Sequence, residues 1–146
     1  MEKVGFRHIG MTVSDLDAIS DFYCKYFGFK KGFGRVFEDD FISAVPSLYR
    51  QPAGTFAKMQ MIESQDGVVL ELFEFSTTEK NELAEFHLTG IHHLAFLVED
   101  IPALYEKMLD DGIEFFMEPR VRGDETGDGH WIFFKDPDGN IIELWD

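Results

Sequence analysis

The stretch GIHHLAFLVEDI, residues 90–101, decides how this chain is read. Two adjacent histidines open an apolar run with the look of a buried strand. Far upstream, FRHIGMTVSDLD at residues 6–17 repeats the pattern. Set one above the other, His8 to Asp15 and His93 to Asp100 share one plan. A histidine is followed by five apolar or small residues, then a polar residue, then aspartate. The offset is 85 at every matched position.

The likeness continues on both sides. After Asp15, a plausible helix N-cap, Leu16, Ile19, Phe22, Tyr23, Tyr26 and Phe27 recur at helical spacing until Gly28. Asp100 is placed to cap a second helix, with Pro102 in its first turn and Gly112 at its end. Each half also closes alike: GVVLELFEF (67–75) and GNIIELWD (139–146) both carry Gly-x-x-x-Glu-Leu, at Gly67–Glu71 and Gly139–Glu143. Between helix and final strand stand further strand candidates. These are GFGRVFE (32–38) and FAKMQMIE (56–63) in the first half, IEFFME (113–118) and HWIFFK (130–135) in the second.

The expected class is therefore α+β, a β-α-β-β-β module used twice in one domain spanning residues 1–146. The first module covers 1–75, a polar linker 76–90, and the second module 91–146. The halves differ in length: 63 residues separate His8 from Glu71, and 50 separate His93 from Glu143. Most of the surplus falls in DDFISAVPSLYRQPAG (39–54), whose prolines and Gly54 predict irregular backbone. A long loop rich in apolar side chains points to function.

Composition narrows the partners. Of the 146 residues, 45% are hydrophobic and 16 are phenylalanine, ample for a core and a lined pocket. A formal net charge of −15 argues against nucleic acid and anionic membrane surfaces, which repel an acidic field. It leaves room for a small anionic substrate held by local basic residues. Cys24 is the only cysteine, so no intrachain disulfide forms, and a cytoplasmic setting is expected. No apolar run reaches the length of a signal peptide or a membrane span.

In a strand, residues 92 and 93 point to opposite faces, and the repeat pairs His93, not His92, with His8. It likewise pairs Glu71 with Glu143. A structural repeat gives packing reasons for matched Leu, Val and Gly, but none for matched His and Glu. Two neutral imidazoles and two carboxylates suit a divalent metal, cancelling its charge and leaving shell positions for water or substrate oxygens. Such an ion polarises a bound carbonyl and acidifies the adjacent C–H, and a glutamate beside it can take the proton.

At HIGMTVSDLDAISDFYCKYFGF, HHLAFLVEDI and DPDGNIIEL (136–144) the chain resembles the vicinal oxygen chelate superfamily, also called the glyoxalase/bleomycin resistance/dioxygenase superfamily. The resemblance spans nearly the whole chain. It implies paired βαβββ modules forming an open, cup-shaped mixed sheet around a metal site, with His8, Glu71, His93 and Glu143 as ligands. A His-Glu-His-Glu set is most similar to glyoxalase I (lactoylglutathione lyase), with methylmalonyl-CoA epimerase a close neighbour.

The implied activity is that of a metal-dependent lyase or isomerase. It abstracts a proton next to a carbonyl of a small substrate through a metal-bound enediolate or enolate. Glu143 is the first choice as base, and Glu71 the second. The ion could be Ni, Zn, Co, Mn or Fe, and a homodimer is implied too. Two rivals stand beside this reading: a non-catalytic drug-binding resistance protein, and an extradiol-type dioxygenase.

Several departures and side features complete the reading. The 39–54 loop does not follow the glyoxalase I pattern, and the acidic chain is a poor match for glutathione or CoA. Arg120 and Arg122 are the basic residues best placed to meet a carboxylate or phosphate. GDETGDG (123–129) reads as a flexible turn, without the spacing of a phosphate loop, and DPDGN as a tight turn. Met59 and Met61 share one strand face as core or pocket wall, and Glu74 is taken as the polar phase of its strand. His87 and Cys24 receive no role.

Overall fold

The computed structural model describes residues 4–80, 86–123 and 129–146. The chain divides into two units, Met1–Lys80 and Asn81–Asp146. In the first unit, β1 (Ile9–Thr12), α1 (Leu16–Phe27), β2 (Lys30–Phe37), β3 (Ala57–Glu63) and β4 (Val69–Phe75) build a four-stranded sheet of order β1-β4-β3-β2. In the second, β5 (His93–Leu97), α4 (Ile101–Asp110), β6 (Arg120–Val121), β7 (His130–Lys135) and β8 (Ile141–Trp145) give order β5-β8-β7-β6. In both, the first strand runs parallel to the last, and the other pairs are antiparallel. The βαβββ plan is thus present twice.

Local chemistry accounts for the helices. Asp15 Oδ1 accepts the Ala18 N–H at 2.9 Å and Asp100 Oδ1 accepts the Ala103 N–H at 2.9 Å, both from extended N-cap backbone. Gly28 ends α1 at φ 67°, a left-handed conformation that costs glycine little. Alternation then sorts the strand faces. Leu70 and Leu72 are fully buried on the side of β4 against which α1 packs. Ile142 and Leu144 hold the same places in β8. Burying each such side chain contributes about 2 kcal/mol. The residues between them, Glu71 and Glu143, therefore stand on the opposite sheet face from the helix.

Three residues after each of these glutamates stands another carboxylate, on the helix side. Glu74 Oε2 accepts the Leu16 N–H at 2.8 Å, and Asp146 Oδ2 accepts the Ile101 N–H at 2.8 Å. Leu16 and Ile101 are the first residues of their helices, so each final strand ties down a helix N-terminus and complements its dipole. Glu74 is therefore more than a strand's polar phase. Lys58 Nζ, at 2.8 Å from Glu74 Oε1, and the Leu16 N–H together hold its carboxyl below the usual range.

A depressed folded-state pKa stabilises the fold fully above the unfolded value, and that contribution disappears as pH falls through the folded one. Glu74→Gln should therefore cost about 1 kcal/mol near neutral pH and little below the carboxylate range. Urea unfolding at neutral and acid pH measures this difference. A variant equally destabilised at both would show that the charge of Glu74 does not matter.

Three expectations need correction. Residues 113–118 form no strand, only a single bridge from Phe115 to Phe134, and the fourth strand is the two-residue β6 that follows. Aromatic rings explain the misreading. Phe115 packs against Tyr105 of α4 at 4.8 Å and Phe134 at 5.2 Å, so this apolar run anchors a connection. Second, the 39–54 stretch is not simply irregular: it holds two short helices, α2 (Asp39–Ser43) and α3 (Pro46–Tyr49), with Pro46 opening the second. Ile42 drives this local order by packing into a buried cluster with Phe37, Ala57 and Met59. Third, His92 is not a strand residue, because β5 begins at His93.

Candidate metal half-sites and an adjoining cavity

Parallel pairing fixes each histidine relative to its glutamate. In the first unit Gly10 stands opposite Glu71; in the second Ala95 stands opposite Glu143. His93 precedes Ala95 by two within β5 and so shares its sheet face with Glu143, while His8 stands one residue before β1 and reaches Glu71 by its side chain. The small residue between them leaves room in front of the carboxylate. At Gly10 even an added Cβ would meet nothing within 4 Å.

The side chains meet accordingly. His8 Nε2 lies 3.2 Å from Glu71 Oε2, and His93 Nε2 lies 3.2 Å from Glu143 Oε2. All four are partly shielded, the glutamates more than the histidines, with Glu143 at 12% exposure. Two neighbouring ligands of an octahedral ion, each about 2.1 Å from it, stand about 3.0 Å apart. Both pairs have the separation that such ligands need. Among the described residues no three His, Cys, Asp or Glu side chains gather as a metal site, so each unit offers a pair.

The sequence expectation that His92 turns away from His93 fails. β5 begins at His93, so His92 lies in the irregular backbone before it, where strand alternation does not apply. Its ring folds beside its neighbour's, with the two Nδ1 atoms 2.7 Å apart. Phe86, assigned from sequence to the linker, stacks on both rings, at 4.4 Å from His92 and 5.4 Å from His93. Phe133, opposite Glu143 in β7, presents its edge to His93 at 5.6 Å. Nothing in the sequence pattern marked Phe86; the adjacent histidines were the only signal of a paired ring.

Beside Glu71 the first unit holds an open cavity of about 840 Å³. Tyr49, Phe73 and Phe75 supply apolar wall, and Arg50, Gln51 and Thr77 supply polar groups. The 39–54 segment thus lines a pocket, as its length and apolar content suggested. Met59 is buried in the core, and Met61 stands directly beside Glu71 on β3.

Arg120 and Arg122 are engaged within their own unit. Arg122 Nη2 donates to the Asp146 carbonyl at 2.7 Å and its guanidinium lies over Trp145, while Arg120 lies over Trp131. In the DPDGN turn the Asp136 carboxylate accepts the Asp138 and Asn140 N–H groups and the Asn140 side-chain amide. The centre of the GDETGDG stretch, residues 124–128, lies outside the described residues. Burial pushes the Cys24 thiol up, so it stays protonated.

A sequence profile of the Glyoxalase/Bleomycin resistance protein/Dioxygenase superfamily matches residues 5–144. A lactoylglutathione lyase of Pseudomonas putida is 30% identical, over 95% of this chain and 83% of its own. A probable lactoylglutathione lyase of Synechocystis is 30% identical, over 94% of this chain and 91% of its own. The crystal structure of a glyoxalase family protein from Bacillus cereus superposes with a TM-score of 0.78, covering 99% of this chain and 97% of that one. At 21% identity that likeness speaks for the fold. Among the described residues no helix is long and apolar enough to cross a membrane.

Proposed function

The chain belongs to the glyoxalase/bleomycin resistance protein/dioxygenase superfamily, and from that footing we propose a metal-dependent lyase or isomerase of the glyoxalase type. The supporting observation is the same imidazole–carboxylate pair built twice, at the same register and the same 3.2 Å separation. His8 with Glu71 and His93 with Glu143 would hold one divalent ion, the two pairs meeting within one chain or across a homodimer. Their donors fit: two carboxylates neutralise the ion, and both imidazoles turn Nε2 toward the paired oxygen. When bound, such an ion supplies Lewis acidity toward a substrate carbonyl.

The chain's own residues do the rest. Glu143 takes the proton from the carbon next to the carbonyl and returns it to the neighbouring carbon or the opposite face. β8 holds its backbone, and Phe133 limits water beside it. Glu71 is the second candidate base, because it opens on the cavity. The aromatic wall of that cavity suits the apolar part of a small oxygenated substrate, and Arg50 suits a negative group.

Deuterium exchange tests this reading. Lactoylglutathione, named in two of the relatives, has a C–H next to its thioester carbonyl. Metal-loaded protein in D₂O should wash deuterium into that position, or into the matching carbon of 2-methyl or 2-hydroxy acyl-CoA thioesters, and metal removal should stop it. Stoichiometric metal with no exchange on any of these compounds would sink the lyase or isomerase reading. The same cavity also favours a second reading, a binding protein without turnover, which predicts ligand affinity unchanged by chelation.

A further inference from the structure

We infer that His92 is a positioning residue that accepts the Nδ1 proton of His93 when an ion is bound at Nε2, an inference resting on the metal-site reading above. His93 directs Nε2 at Glu143, and its other nitrogen stands 2.7 Å from Nδ1 of His92. Two imidazole nitrogens at that distance need one proton between them, one ring donating and the other accepting. A histidine that offers Nε2 to a cation must carry its proton on Nδ1. His93 then donates and His92 accepts, with the proton of His92 on its own Nε2. Ligating imidazoles are commonly oriented through such a bond on their far nitrogen.

Aromatic packing holds the arrangement. Phe86 lies nearly parallel to His93, at 13°, and covers His92 as well, while Phe133 closes the edge at 89°. The first unit lacks this device. The residue before His8 is Arg7, and the buried His8 Nδ1 has no hydrogen-bond partner among the described residues. The two half-sites therefore differ at this nitrogen. The second unit holds a partner ready for the Nδ1 proton that a ligating imidazole carries, and the first does not.

Two substitutions separate hydrogen bonding from stacking. His92→Phe keeps a ring under Phe86 and removes the acceptor. His92→Asn loses the ring and keeps an acceptor oxygen near the place of Nδ1. In ¹H–¹⁵N spectra of Zn²⁺-loaded protein, the Nδ1–H of His93 should be shifted downfield and slow to exchange with water in wild type and H92N, and lose both features in H92F. Zn²⁺ titration should give an affinity about 10- to 100-fold weaker for H92F, restored largely in H92N.

An H92F protein whose His93 Nδ1–H keeps the wild-type shift and exchange protection overturns the inference, as does an H92N protein as impaired as H92F. Wild-type protein that binds no Zn²⁺ overturns the metal-site reading, and the inference falls with it.

Discussion

Glu143→Gln is expected to slow deuterium exchange next to the substrate carbonyl by about 10³-fold while the protein still folds and binds metal. The amide keeps an oxygen donor at nearly the same place, and β8 is set by Ile142 and Leu144, both buried against the helix side of the sheet. What disappears is the capacity to accept a proton. Comparing exchange and metal content in one preparation separates the two roles. Exchange lost with metal retained identifies Glu143 as the base. Exchange retained moves that role to Glu71, and Glu71→Gln should then show the loss.

The second large effect is structural, yet it reaches the same glutamate. Asp136 is 3% exposed and its carboxylate gathers three N–H donors of the turn leading into β8. Asp136→Ala would remove the buried acceptor of these donors in a half-buried turn, at a cost of about 2 kcal/mol. Because the turn sets where β8 begins, metal affinity should fall as well. Thermal unfolding measures the first effect and Zn²⁺ titration the second. Stability close to wild type would mean that the turn holds its shape without the carboxylate.

Matched chemistry at matched offsets made much of this legible beforehand. Capping aspartates, terminal glycines and the Gly-x-x-x-Glu-Leu closures located both helices and both final strands. The duplication singled out two histidines and two glutamates, and the structure adds that each histidine stands beside the glutamate of its own unit. What escaped notice depends on tertiary context. Phe115 reads like strand but is held by rings from α4 and β7.

His92 looks like a strand residue until the strand is seen to start one position later. Phe86 sits in a polar stretch with no periodicity, and only its stacking reveals it. Glu74 and Asp146 were hidden for another reason: a carboxylate that caps a helix from a distant strand leaves no local spacing to detect.

Two half-sites, one per unit, are proposed to serve a single ion. Equilibrium dialysis with Zn²⁺ followed by elemental analysis tests it on the wild type, His8→Ala and His93→Ala proteins. The prediction is one ion per chain in the wild type, with affinity lowered by on the order of 100-fold or more in either variant. Two ions per chain, one ion indifferent to either histidine, or none at all would contradict it.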